Sequence, residues 1–148
     1  MRKLLAVIAL ISLSLLAAGC GKSGSSGEAN EILVGEYSSL TGTTATFGTS
    51  THRGILMAVD ETNSGAGVLG KKIKLITEDT QSKPEEAALA VQKLITRDNV
   101  ISIIGEVAPS RSLAAAPICQ ERKVPMVSPG STNPEVTKKG DYIFRVCY

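Results

Sequence analysis

The chain has 148 residues, and 16 Lys and Arg residues stand against 14 Asp and Glu residues. Two of the basic residues, Arg2 and Lys3, lie in a segment that we expect to be removed, which leaves the mature chain close to electrical neutrality. Scattered charges and only five aromatic residues exclude a nucleic-acid-binding groove, which needs clustered basic and stacking side chains.

The first 19 residues form a predicted secretory signal peptide. Arg2 and Lys3 precede an apolar run that begins at Leu4 and ends in small residues before Cys20, and this run is too short for a membrane-spanning helix. Its end resembles the lipobox of a bacterial lipoprotein, which implies export and lipid attachment at Cys20. The alternative is ordinary signal cleavage nearby, with Cys20 incidental. Residues 20–30 are rich in Gly and Ser and predict a flexible linker.

These features predict an exported protein of the cell envelope, anchored to the membrane by lipid. It would lie in the periplasm or on the outer face of the cytoplasmic membrane.

The rest of the chain alternates between apolar segments of strand length and amphipathic segments with a helical period. The predicted strands are residues 31–37, 72–77, 100–105, 124–128 and 142–146. The predicted helices are residues 52–63, a helix that starts at Pro84 and carries its apolar stripe to Ile95, and residues 110–123. Short connections between alternating strands and helices predict one α/β domain, a parallel sheet with helices on both faces.

Residues 65–70, GAGVLG, match the G-x-G-x-x-G pattern of dinucleotide-binding proteins. That pattern functions between a strand and the helix whose N-terminus binds a phosphate. Here it follows the predicted helix 52–63 and precedes the predicted strand 72–77, so we interpret it as a turn in which glycine ends a helix. We therefore predict no cofactor, and we reject a nucleotide-dependent oxidoreductase as the function for the same reason.

Three loops follow predicted strands at their carboxyl ends, the edge of a parallel sheet at which ligands bind. They comprise residues 39–48, 105–110 and 128–134, and they are rich in small hydroxyl side chains. Such loops at helix N-termini suit a carboxylate or another small anion. For residues 128–132 an ordinary β-turn, which Pro-Gly favours, is the alternative to ligand contact. Residues 105–110 and 128–132 are expected to share one edge, and residues 65–70 the opposite edge.

These loops contain no recognisable catalytic set. The single histidine, His52, is predicted to open a helix as a solvated or capping side chain. Glu106 is expected to bond local N–H groups, and Ser110 is either an N-cap or a ligand contact, since both roles use the same oxygen. No Cys or His spacing fits a metal site. Because the sequence shows neither a catalytic set nor a metal site, we predict that the protein is not an enzyme.

Two cysteines remain once Cys20 is assigned to lipid. Cys119 and Cys147 lie on different predicted elements, and we interpret them as buried thiols. A disulfide between them stays open, because sequence does not place their Cα atoms.

The segments between Glu31 and Tyr148 include, in order, EILVGEYSSLTGTTATFG, RGILMAVDETNSGAGVLGKKIKLITEDTQSKPEEA, IIGEVAPSRSLAAAP, VPMVSPGSTNPEVT and YIFRV. Together they resemble the amino-terminal lobe of the branched-chain amino acid-binding proteins. These are the type I extracytoplasmic solute receptors of ABC importers. The resemblance implies the amino-terminal lobe of such a receptor over residues 31–148.

The resemblance also implies which residues bind the ligand. In this family the loops after the third and fourth strands hold the amino-acid head group through a serine and a small-small-Thr segment, and an aromatic residue of the first loop lies beside the cleft. The matching residues are Phe47, Pro109, Gly130, Ser131 and Thr132. Pro109, at the place of the carboxylate-binding serine, has neither a hydroxyl nor an N–H group, so that contact depends on Ser110. The family's disulfide has no counterpart, because Gln81 and Ala108 stand at its positions.

The function that the resemblance implies is that of the extracytoplasmic substrate-binding component of an ABC importer. It would bind an amino acid, branched-chain above all, between two lobes and deliver it to the ABC permease in the inner membrane. Residues 31–148 stop where the family crosses into its second lobe, so this lobe alone is expected to bind ligand weakly. The alternative is an extracytoplasmic ligand-sensing domain of a signalling receptor on the same scaffold.

Overall fold

The computed structural model describes residues 31–146 of the chain. The predicted signal peptide (residues 1–19), Cys20, the linker up to residue 30 and Cys147 lie outside the described residues. The strands are β1 (Glu31–Ser38), β2 (Lys72–Asp79), β3 (Ser102–Ile104), β4 (Met126–Ser128) and β5 (Ile143–Arg145). The helices are α1 (Ala45–Ser64), α2 (Pro84–Thr96), α3 (Pro109–Arg122) and a 3-10 helix (Pro134–Lys139).

All five strands are parallel and lie in the order β2-β1-β3-β4-β5. The chain leaves β1 toward β2 on one side and leaves β3 toward β4 on the other, so the strand order reverses between β1 and β3. In open α/β sheets this reversal opens a crevice at the carboxyl ends of the two strands.

Successive residues of β1 show that helices cover both faces of the sheet. The Glu36 carboxylate points to α1, where it lies 2.7 Å from Nδ1 of His52. A Cβ on the preceding Gly35 would lie 3.1 Å from Cδ1 of Leu94, on α2. Because neighbouring strand residues point to opposite faces, α1 covers one face and α2 the other. The predicted fold, a parallel sheet with helices on both faces, is confirmed.

The hydrophobic core lies between the sheet and the packed pair α2 and α3. Its fully buried large side chains include Tyr37, Leu94, Ile103 and Met126. Cys119 is a free thiol in this core, and burial raises its pKa to about 12. Among residues 31–146, no helix is both long and apolar enough to cross a membrane.

Helix α1 begins earlier than the sequence predicts. The sequence predicts a helix from residue 52, but the helix starts at Ala45 and runs for 20 residues. Its hydroxyl-rich first turns have weak helix propensity, yet tertiary contacts fix them. The Thr44 N–H donates to Ser82 Oγ at 3.1 Å, and Ser38 Oγ donates to the Gly48 carbonyl at 3.2 Å.

The 3-10 helix was not predicted, because six residues are too few to show a period. It begins after Asn133, whose side-chain oxygen accepts a hydrogen bond from the Glu135 N–H at 2.9 Å. Pro134 supplies the first helical position, where a missing N–H costs nothing.

Residues 65–70 connect α1 to β2, as predicted. Gly67 and Gly70 have φ values of 70° and 76°, in the left-handed region that glycine adopts without strain. The segment enters the amino end of β2, so it lies at the edge opposite the loops that leave β1, β3 and β4. The interpretation of these glycines as a turn is confirmed.

Candidate functional site

The loops after β3 and β4 meet at the carboxyl edge of the sheet. Three hydroxyl oxygens lie within hydrogen-bonding distance of the Glu106 carbonyl: Ser112 Oγ at 3.0 Å, Ser128 Oγ at 2.6 Å and Ser131 Oγ at 3.0 Å. All three serines are buried. The expectation that residues 105–110 and 128–132 share one edge is confirmed.

The Glu106 carboxylate is also buried, and its partners come from the loop after β1, from its own loop and from the first turn of α3. Ser39 Oγ donates to it at 3.0 Å, the Val107 N–H donates at 3.1 Å, and Arg111 Nε forms an ion pair with it. Ser39 in turn hydrogen-bonds Thr80 Oγ1 at 2.9 Å. The prediction that Glu106 bonds local N–H groups is confirmed, and Arg111 is an additional partner that the sequence did not reveal.

A second network joins the loop after β1 to the turn after β2. The Asp79 carboxylate accepts from the Thr41 hydroxyl at 2.6 Å and from the Leu40 and Gln81 N–H groups at 2.9 and 2.8 Å. Desolvation raises the pKa of Asp79, but the hydrogen bonds from the Thr41 hydroxyl and from backbone N–H groups together bring it below its usual value. The carboxylate form of Asp79 therefore fixes this loop.

A cavity of about 280 Å³ opens where the loops after β1, β3 and β4 converge. Its walls are mostly apolar, and the lining residues are Thr44, Phe47, Val107, Ala108, Pro109, Arg111, Gly130 and Thr132. The first turn of α3 forms one wall; its Arg111 N–H donates to the Ala108 carbonyl at 3.2 Å and Pro109 has no N–H, which leaves the Ser110 N–H as the donor of that turn without an intrahelical acceptor. Such a surface can hold an apolar group and a carboxylate in the same small volume.

The structure brings four of the predicted site residues to this cavity: Phe47, Pro109, Gly130 and Thr132. The Phe47 side chain is two-thirds exposed there. Ser110 is exposed at the second residue of α3 and is not the N-cap, which is Ala108. Ser131 is fully buried, and its N–H donates to Ser128 Oγ at 3.0 Å.

Thr44, Val107 and Ala108 lie in loops that the sequence predicts at the ligand edge but were not singled out as contacts, and Arg111 was missed altogether. Thr44 and Arg111 have polar side chains whose role depends on the distance between two loops, which sequence does not give. The available signal was the position of Arg111 in the first turn of a helix that follows a strand's carboxyl end, five residues after an acidic residue.

The prediction for His52 is wrong. His52 lies inside α1, not at its start, and its Nδ1 is 2.7 Å from the buried Glu36 carboxylate. Thr77 Oγ1 donates to the same carboxylate oxygen at 2.9 Å. A charged side chain on a central strand requires a partner. Here His52 of α1 and Thr77 of β2 are the two partners of Glu36.

Within the described part of the chain, no group of three or more His, Cys, Asp or Glu side chains is arranged to hold a metal ion.

Comparison with known proteins gives one family over the whole described lobe. Residues 31–148 match the family described as periplasmic binding protein. A relative from Pseudomonas aeruginosa, named amino acid binding protein, is 32% identical over 118 residues, which are 79% of this chain and 32% of that protein. This chain therefore spans about a third of the length of the relative.

Solved structures agree with this family. The leucine binding protein LivK from Thermotoga maritima has a TM-score of 0.75 and 42% identity, and the match covers 79% of this chain and 33% of that one. A solute binding protein of an ABC transporter from Rhodopseudomonas palustris, in complex with 3,4-dihydroxybenzoic acid, has a TM-score of 0.73 and 30% identity over 78% and 31% of the two chains. These relatives are binding proteins and not enzymes, in agreement with the prediction for this chain.

Proposed function

The chain belongs to the periplasmic binding protein family, and we propose that its cavity forms the first-lobe half of an amino acid site in an ABC importer's receptor. Branched-chain amino acids are the ligand class that we favour, since LivK is named as a leucine binding protein. The observation that carries the proposal is the cavity itself, which lies at the point where the strand order reverses and is walled by three loops.

The wall chemistry supports a ligand with one carboxylate and one apolar part. Thr132 offers a hydroxyl, and Gly130 lines the cavity at a point where a side chain does not fit, since a Cβ there would lie 2.9 Å from Val107 Cγ1. Phe47 offers an exposed ring for an apolar side chain. Pro109 has no donor, so we assign the α-carboxylate to Thr132 and the Ser110 N–H, with the Ser110 hydroxyl beside it.

Ser131, the remaining residue of the predicted set, has a different part in the proposal. Its hydroxyl lies 2.7 Å from Ser112 Oγ and 3.0 Å from the Glu106 carbonyl. We propose that Ser131 holds Gly130 and Thr132 in place against the β3 loop.

Membership of the periplasmic binding protein family also supports a proposed role in transport. Two lobes close around a solute by a hinge motion, and the closed receptor delivers the solute to the permease. A lipid anchor at Cys20 would keep the receptor in the cell envelope, next to that permease. The alternative function, an extracytoplasmic sensing domain on the same scaffold, would use the same cavity. A signalling module in the same polypeptide would distinguish this alternative from the transport receptor.

Saturation-transfer NMR with the 148-residue chain tests the ligand class directly. We expect L-leucine to receive saturation at millimolar concentration and D-glucose, which has no carboxylate, to receive none. The same measurement with 3,4-dihydroxybenzoate, the ligand in the Rhodopseudomonas palustris structure, shows whether the cavity prefers an aromatic acid to an amino acid. Saturation of D-glucose equal to that of L-leucine would refute a carboxylate-binding site.

A further inference from the structure

We propose that Arg111 is the positioning residue of the cavity: it ties the first turn of α1, and with it Phe47, to the loop after β3. This inference rests on the proposed function only in its consequence for ligand binding. The contacts that support it are independent of any ligand.

Arg111 reaches three separate loops through three different nitrogen atoms. Nε pairs with the Glu106 carboxylate after β3, Nη1 donates to the Ser82 carbonyl after β2 at 3.1 Å, and Nη2 donates to Thr44 Oγ1 before α1 at 2.8 Å. Its side chain is only 6% exposed. The planar guanidinium suits this arrangement because its donors diverge in fixed directions.

Thr44 passes this restraint to Phe47. The Thr44 hydroxyl donates to Ser82 Oγ at 3.0 Å while it accepts from Arg111, so two hydrogen bonds fix the orientation of its side chain. The Phe47 N–H donates to the Thr44 carbonyl at 3.1 Å. The ring that forms the apolar wall of the cavity therefore stands one helical turn from the atom that Arg111 binds.

Glu106 explains why a cation can be buried here. A buried charge is tolerated when it is paired and hydrogen-bonded, and the Glu106 carboxylate has a side-chain exposure of 1%. Lysine would supply the same charge to Glu106, but its single nitrogen cannot occupy three separated donor positions. The substitution Arg111→Lys therefore keeps the neutralisation of the Glu106 charge but removes the contacts that position the loops.

The first test compares Arg111→Lys with wild type, by hydrogen-exchange mass spectrometry on the 148-residue chain without ligand. We expect residues 41–50 to exchange about tenfold faster in the variant, whereas residues 84–96 in the core keep their protection. The matched control is Lys138→Met, which removes an exposed ion pair with Glu135 and should leave both segments unchanged.

The double variant Glu106→Gln with Arg111→Met covers the case in which the lysine variant does not fold. It removes both charges together, so no unpaired carboxylate remains buried. Its residues 41–50 should also exchange faster than in wild type. Exchange of residues 41–50 at the wild-type rate in either folded variant would overturn the proposal, because Arg111 would then serve only to neutralise Glu106.

L-leucine affinity, measured by saturation-transfer titration on the same variants, tests the consequence for the cavity. We expect a Kd raised by about tenfold in Arg111→Lys. Faster exchange with an unchanged Kd would overturn the link between Arg111 and the cavity. If wild type itself binds no L-leucine, the proposed function fails, and the exchange result still decides the role of Arg111.

Discussion

Ser131 and Thr132 are adjacent in the sequence, but the structure gives them different environments. Ser131 is fully buried with its hydroxyl against the Glu106 carbonyl, whereas Thr132 is exposed on the cavity wall. The family resemblance assigns both to the ligand, because a sequence motif does not distinguish a side chain that contacts ligand from one that supports its neighbour. Their burial supports the proposed division, in which Thr132 contacts the ligand and Ser131 supports its neighbours.

We expect Ser131→Ala to lower the free energy of unfolding by about 1–3 kcal/mol, because it leaves buried polar partners unsatisfied. Thr132→Ala should change it by no more than about 0.5 kcal/mol, since the side chain is exposed, and should weaken L-leucine saturation transfer. Urea unfolding followed by circular dichroism measures the first effect. Equal stability losses in the two variants would contradict this division of roles.

Asp79 makes stability depend on pH at the acid end. A carboxyl whose pKa is lowered in the folded state contributes stability above its unfolded-state pKa, about 3.9, and loses that contribution as the pH falls through the lower folded-state value. Hydrogen bonds from Thr41 and from backbone N–H groups lower the pKa of Asp79. The stabilising form is therefore the carboxylate.

The stability difference between wild type and Asp79→Asn should consequently be largest near neutral pH and shrink below about pH 4. Urea unfolding at a series of pH values measures it. A difference that stays constant down to the acid limit would show that the charge of Asp79 does not contribute.

At the scale of elements, the strands and the helices α2 and α3 could be predicted because their periods are strong and their ends carry signals. Pro84 starts α2 with Glu85 and Glu86 in its first turn, as sequence rules require. The start of α1 could not be predicted, since Thr and Ser residues favour loops and only contacts distant in sequence make them helical. The same limit hid Arg111, whose three partners belong to three loops.

Two glycines of α1 provide a matched test of those contacts. A Cβ on Gly48 would collide with the Ser39 backbone, whereas a Cβ on Gly54 would meet nothing within 4 Å. We expect Gly48→Ala to destabilise the protein by about 1–3 kcal/mol through overpacking, and Gly54→Ala to stabilise it by about 0.5–1 kcal/mol through helix propensity. Thermal unfolding of both variants checks this. A stabilising Gly48→Ala would mean that the first turn of α1 does not lie against Ser39.

At the scale of the whole molecule, the order β2-β1-β3-β4-β5 explains why sequence reasoning could predict which loops meet at the cavity. Parallel strands bring their carboxyl ends to one edge, so the loops after β1, β3 and β4 meet even though they are far apart in sequence. The walls of the cavity come from this single edge. One sheet edge cannot enclose a small ligand, and tight binding requires most of a ligand's surface to be covered, so weak affinity for this chain stays a prediction.

Amide chemical-shift mapping of the ¹⁵N-labelled chain during titration with L-leucine tests most directly whether solute meets the carboxyl edge of the sheet. We predict shifts at Phe47, at residues 107–111 and at residues 130–132, and none in the turn at residues 65–70. Shifts confined to residues 65–70, or spread without preference for the carboxyl edge, would contradict the assignment of this edge as the binding surface.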